Sequence, residues 1–432
     1  MKRKLLILLA LGLVMAFSAS AYAADVKFTG SFYAAGMYQD ETVFIKDTSG
    51  YASTAFYYQR LRVRADIIVS PSLRLVTRFD AMERIWGNVR TTPGGITSLI
   101  GDLDSAGSRD ENENIAFDWA YIEYASRLGV FMVGYQNDLA WGTKFGDWSR
   151  PSGKIAWAYT AGGFTVMADV AKLLELSSTA TVATGLTDSD IDKYSVAVKY
   201  AWNRGEAGLR IAYLRALHGG VDINADLYGV IPYAKAKFGP VAVEAEVDYY
   251  WGNLINTNST KIKLQSLGVY VDALADLGMF YAGGTVAYIS GDSDIADDTL
   301  KIMVGGKDWM PCLILFNYDR TYWAGPIDAP IPDFGIMYNA WFGQIRAGVR
   351  PVADLDLGVS VSYARADEKL FPGMKKDYGT ELDVTATYKI TNNLSYMLGF
   401  GYLWTGKYFR ADIPDLDVQD NFLVINKLTL TF

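Results

Sequence analysis

The chain has 432 residues, 50% of them hydrophobic with 29 Tyr, 20 Phe and 11 Trp, and a formal net charge of −8. That acidity argues against nucleic acid as a partner. One His and one Cys, His218 and Cys312, exclude zinc sites built from clustered His and Cys, an internal disulfide and a c-type haem attachment, so no metal or cofactor is expected.

Met1 to Ala23 runs from a basic start (Lys2, Arg3, Lys4) through an apolar stretch, Leu5 to Phe17, to Ala21-Tyr22-Ala23. This order of zones predicts a cleaved secretory signal peptide over 1–23, leaving 24–432 as a single domain. Subtracting Lys2, Arg3 and Lys4 lowers the formal charge from −8 to −11. Nothing after residue 23 is apolar for the 18 residues a spanning helix needs.

From there the apolar residues alternate with polar ones, the period of strands with one oily and one wet face. Strands are predicted at 26–38, 53–69, 73–84, 113–125, 129–136, 154–160, 163–175, 193–203 and 206–217. Nine more follow at 230–238, 241–251, 261–273, 279–290, 339–350, 354–365, 378–390, 394–405 and 421–432. Tight connections such as Ser70-Pro71-Ser72, Ala161-Gly162, Gly239-Pro240 and Thr391-Asn392-Asn393 carry turn residues. Between them lie long polar connections, 85–112, 174–192, 291–338 and 406–420. Short turns alternating with long loops predict an all-β, transmembrane, antiparallel up-and-down barrel of about 18 strands (16–20). The range reflects Thr299–Gly305 and Pro311–Tyr318, which would add a hairpin if they paired.

The last twelve residues place Phe422, Val424, Leu428, Leu430 and Phe432 at alternating positions and stop on the aromatic. A strand that ends on Phe resembles the last strand of Gram-negative outer-membrane porins, where such positions are read by the barrel-assembly machinery. The family pattern has Gly five residues before the end, where Lys427 stands. The resemblance implies an integral place in the bacterial outer membrane, with membrane lipid and the assembly machinery as partners and a homotrimer as a common assembly. It also implies passive diffusion of small hydrophilic solutes or ions through a water-filled lumen. Two other readings stay open: a barrel that sheaths or exports a periplasmic or extracellular partner, and a non-conducting structural barrel.

Charges on the strands suggest what lines that lumen. Arg60, Arg62 and Arg64 share one face of a strand, and Arg74, Arg78 and Arg84 follow in matching parity on the next. An arginine on the lipid face near the midplane costs about 2–4 kcal/mol, so this face is expected to point inward. Asp66, Asp80 and Asp118 share it and can pair with the arginines, leaving selectivity element and structural network as alternatives. Glu244, Glu246 and Asp248 form an acidic ladder, flanked by Lys235 and Lys237 before it and Lys261 and Lys263 after it. The set resembles the opposed basic and acidic groups of a porin constriction.

Within 291–338, the run Trp309-Met310-Pro311-Cys312-Leu313-Ile314-Leu315-Phe316 is too apolar for an exposed loop. It is expected to fold into the barrel mouth or against a neighbouring subunit. An enzyme reading finds little support: His218 sits at a strand end, and neither a Gly-x-Ser-x-Gly elbow nor a phosphate-binding glycine loop occurs.

Overall fold

The computed structural model describes residues 24–46, 53–87, 115–175, 190–218, 223–255, 261–294, 297–303 and 305–432. The predicted leader, 1–23, lies outside them. The first strands are β1 (Asp25–Gln39), β2 (Thr54–Ser70), β3 (Leu73–Ile85), β4 (Ile115–Ser126), β5 (Gly129–Asp138) and β6 (Arg150–Ala161). Then come β7 (Phe164–Glu175), β8 (Asp190–Trp202), β9 (Gly205–His218), β10 (Ile223–Phe238), β11 (Val241–Ile255), β12 (Lys261–Asp276) and β13 (Phe280–Ile289). After the two-residue β14 (Thr299–Leu300) follow β15 (Ala340–Val352), β16 (Leu355–Ala366), β17 (Asp377–Lys389), β18 (Leu394–Thr405) and β19 (Asn421–Thr431).

Each wall strand pairs antiparallel with its sequence neighbours, β13 pairs with β15, and β1 pairs with both β2 and β19. The sheet therefore closes into an 18-stranded ring. Closure matters because no backbone group in a membrane can be left to water. Among the described residues the alternative hairpin over Thr299–Gly305 and Pro311–Tyr318 does not form: β14 pairs parallel to β12 and is not part of the ring, and Tyr318–Ala324 is the helix α1. Among the described residues no helix is long and apolar enough to cross a membrane.

The alternation decides what faces out. Phe28, Ile155, Val286 and Ile345 are among the large apolar side chains exposed on the outer surface, forming the belt that lipid covers. At the tight ends, Gly162 and Gly239 adopt φ of +59° and +60°, which a side chain would strain.

The buried core sits inside the ring. Segment 305–338 enters the lumen, and its Trp309, Ile314, Leu315, Phe316 and Trp323 pack on inward residues of the wall, including Tyr58, Phe342 and Tyr378. Asn317 caps α1 by accepting the Arg320 backbone N–H at 3.0 Å, and Trp323 reaches Tyr58 with ring centroids 4.5 Å apart. Burying that apolar run removes the exposure that made it improbable as a free loop.

Candidate functional site

On β2 to β4 the lumen face is an array of ion pairs. Arg62 donates two bonds to Asp80, at 2.7 and 2.6 Å, and Arg64 two to Asp66, at 2.7 and 3.1 Å. Arg74 reaches Asp66 at 3.4 Å and Glu123 at 2.7 Å. Arg60 meets Glu83 at 3.3 Å. Arg78 binds Asp118 and stacks 3.7 Å over the Trp119 ring. These five arginines thus face five carboxylates: the local charge balances while the guanidinium groups stay partly solvated. The more exposed pairs of Arg64 and Arg74 with Asp66 and Glu123 contribute about 0–1 kcal/mol each, whereas Glu83, Asp80 and Asp118 are almost fully buried and depend on their arginines for compensation.

Arg84 does not belong to this face. Met82, at φ +51°, introduces a bulge, and Arg84 then sits in register with Gln59, between inward Glu83 and Ile85. The inserted residue flips parity, which turns Arg84 outward and brings in Glu83. Lys261 and Lys263 are also corrected. The inward set of β12 is Leu264, Ser266, Gly268, Tyr270 and Asp272, so both odd-numbered lysines face out, and Lys263 pairs with Asp298 at 3.0 Å. Lys235 and Lys237 do point inward, Lys235 in register with Glu244. At the C-terminus, Leu428, Leu430 and Phe432 are exposed on the outer face. Lys427 faces inward, 4.1 Å over Tyr33 and 3.6 Å from Asp319 of α1.

Two inward segments narrow the lumen, and each is held by a Glu-x-Asp pair on a wall strand. On β17, both oxygens of Glu381 accept backbone N–H groups of the plug, from Ile314 at 2.7 Å and Leu315 at 2.8 Å. Its neighbour Asp383 accepts from Ser360 at 3.3 Å. Cys312 lies against the two carboxylates, with ligand-type atoms of all three within 4.8 Å of one another. Burial, then these two carboxylates, push the Cys312 thiol well above its ordinary value, so it packs as a small apolar group. Deeper in the plug Arg320 pairs with Asp333 at 3.0 Å, both almost fully buried. Burial raises Asp333 and lowers Arg320 despite their mutual attraction. Trp309 and Phe316 are buried with Cys312, whereas Met310 is exposed.

The second pair is on β11. Glu246 accepts the backbone N–H of Thr143 at 2.5 Å and of Gly146 at 3.2 Å, docking the loop 139–149 that follows β5. The two loops touch at Gly306, whose N–H donates to the Phe145 carbonyl at 2.8 Å and where a Cβ would collide with Asp147. Asp147 accepts from the Trp141 N–H at 2.5 Å, and burial pushes its carboxyl up to about 7. Loop 139–149 is absent from the expectations above. Its aromatics Trp141, Phe145 and Trp148 in a connection between strands carry the same signal as 309–316. The His218 side chain lies outside the described residues.

The fold is similar to that of OpdK, an outer membrane protein of Pseudomonas aeruginosa, with a TM-score of 0.52 at 11% identity over 94% of this chain and 99% of that one. A BenF-like porin from Pseudomonas fluorescens Pf-5 gives 0.54 at 11% identity, over 94% and 99%. OccK11 (OpdR) from Pseudomonas aeruginosa gives 0.53 at 11% identity, over 94% and 96%. The chain has the fold of the outer-membrane porins. It is a closed, antiparallel, 18-stranded barrel of that type. No protein-family model and no curated protein matches it.

The plug packs on inward residues of β1, β2, β12, β13 and β15 to β19, while the arginines of the ion pairs on β2 to β4 remain partly solvated. The link between them runs through Tyr33, with Arg60 at 5.3 Å on one side and Lys427 on the other.

Proposed function

We propose that the protein is an outer-membrane porin that lets small hydrophilic solutes and ions diffuse passively between its arginine wall and its plug. The observation that carries this reading is the division of the lumen, one side packed by 291–338 and the other lined by inward ion pairs with solvated guanidinium groups. Arg60, Arg62, Arg64, Arg74 and Arg78 are assigned as pore lining with their carboxylates, and Lys235 and Glu244 with them. The plug weighs against the exporter or sheath reading, because it takes the space a partner would need. Leu428, Leu430 and Phe432 are assigned as the segment read during assembly, and the barrels as assembling into trimers, which cross-linking in membranes would test.

The deciding experiment inserts residues 24–432 into a planar bilayer and records single-channel steps and the reversal potential under a salt gradient. Discrete steps with a small reversal potential are expected. A folded barrel that stays silent would overturn the channel and leave the non-conducting structural reading.

A further inference from the structure

Most charged side chains inside the barrel have a partner. Asp248 on β11 is 1% exposed, and neither of its oxygens receives a hydrogen bond. A buried carboxylate in that condition is costly. It also lines a cavity of about 360 Å³ between the inward faces of β8 to β12 and the segments 139–148 and 302–305. The rest of that wall is largely apolar and aromatic, with Leu214, Leu227, Leu264, Trp141, Trp148 and Tyr250.

The surrounding charges leave Asp248 uncompensated. Both oxygens of Glu246 are taken by the backbone of loop 139–149, and Asp147 stands on that loop. The cations on the same lining are Arg210 and Lys193. Lys193 is held by Asp138 at 2.5 Å and Asp169 at 2.9 Å. Arg210 donates to the Ala140 carbonyl at 3.1 Å and lies 4.8 Å from the Trp141 ring. Three carboxylates, Asp147, Glu246 and Asp248, therefore share the cavity with one cation not otherwise paired to a carboxylate.

We propose that this cavity binds a small organic cation, with an ammonium head on Asp248 and an apolar or aromatic body against the two tryptophans. An ammonium supplies the missing charge-assisted donors, and aromatic faces favour cations over neutral groups. Ca²⁺ or Mg²⁺ is the poorer occupant, since either takes six or more oxygen ligands and Glu246 is already engaged. The volume lies within the range of about 300–1,000 Å³ usual for small-molecule sites.

The proposal goes beyond the channel reading and is measured without conduction, so either can fail alone. Calorimetric titration of the detergent-solubilised barrel with phenethylammonium should give saturable binding, absent from empty micelles. Phenylpropionate, similar in shape and opposite in charge, should not bind. Asp248→Asn should weaken phenethylammonium at least tenfold while keeping or raising the unfolding temperature, since it removes an unpaired charge. Trp148→Leu, on the loop rather than the wall, should weaken it severalfold and serves if Asp248→Asn does not fold. No saturable binding would mean that water alone fills the cavity and would overturn the site. So would equal binding of phenylpropionate, or unchanged affinity in a folded variant.

Discussion

The same short device appears twice inside this barrel, and its two copies differ in completeness. Glu381-Leu382-Asp383 on β17 and Glu246-Val247-Asp248 on β11 each turn two carboxylates inward and bind the backbone of an inward segment. On β17 the second carboxylate accepts from Ser360 and is packed over by Leu313, leaving a filled core. On β11 the second carboxylate accepts nothing and faces open space. The difference is one of degree: Asp383 keeps one bonded oxygen and one unpartnered, while Asp248 has neither bonded and lines a cavity.

Breaking the complete clamp should have the largest effect. Glu381→Ala removes two charge-assisted bonds from a fully buried acceptor, each worth about 1.5–3 kcal/mol. The plug should come loose while the barrel's own ladder stays intact. Single-channel conductance is expected to rise severalfold, because an 18-stranded ring is wide enough for an aqueous channel once emptied. Near-UV circular dichroism should lose the signal of the buried Trp309 and Trp323. Unchanged conductance with the plug demonstrably released would show that 291–338 does not restrict the passage.

The incomplete clamp should respond to pH instead. Asp147 is raised from 3.8 to about 7, burial being the main cause. A carboxyl raised in this way is favoured when protonated, so docking of loop 139–149 is most stable below the ordinary value near 4. That stability is lost as pH rises through the window from about 4 to about 7. Conductance noise or loop proteolysis should therefore be greater at pH 8 than at pH 5, and Asp147→Asn should reduce the difference, the neighbouring Glu246 and Asp248 being left in place. A pH response left undiminished by Asp147→Asn would place the titrating group elsewhere.

The wall strands were legible because period-two alternation is a local property of the chain; all 18 predicted segments overlap wall strands. Facing was legible only where no residue was inserted. The Met82 bulge reversed Arg84, and nothing in Phe79-Asp80-Ala81-Met82-Glu83 marks a positive φ at a non-glycine. The β12 lysines were placed by proximity to the acidic ladder rather than by parity with Ser266 and Tyr270, which the alternation would have supplied. The clamps were harder still. Their meaning depends on backbone N–H groups delivered by loops more than 60 residues away, and no local pattern encodes that pairing.

The balanced arginine wall offers a smaller, signed test. Arg62→Gln leaves Asp80 unpaired and gives the wall net negative charge, so the reversal potential should shift toward cations. Asp80→Asn leaves Arg62 in excess and should shift it toward anions by a similar amount. Opposite shifts of comparable size would establish that the pair faces the permeating ions. Two shifts of the same sign, or none, would make the wall a structural network outside the ion path.

The smallest effect is expected where the predicted face and the structural face disagree. Arg84, Lys261 and Lys263 carry the same charge as the lumen cations, yet register puts them on the outside of the barrel. Interactions of exposed charges are screened beyond a Debye length of about 8 Å at physiological salt. Replacing all three with Gln should therefore leave the reversal potential where it was, while the single change Arg62→Gln moves it. Single-channel recording of the triple variant beside Arg62→Gln would compare the two directly. If the triple variant shifts selectivity as far, the parity assigned to β3 after Met82 is wrong, or the ions are sorted at the external rim rather than along the arginine wall.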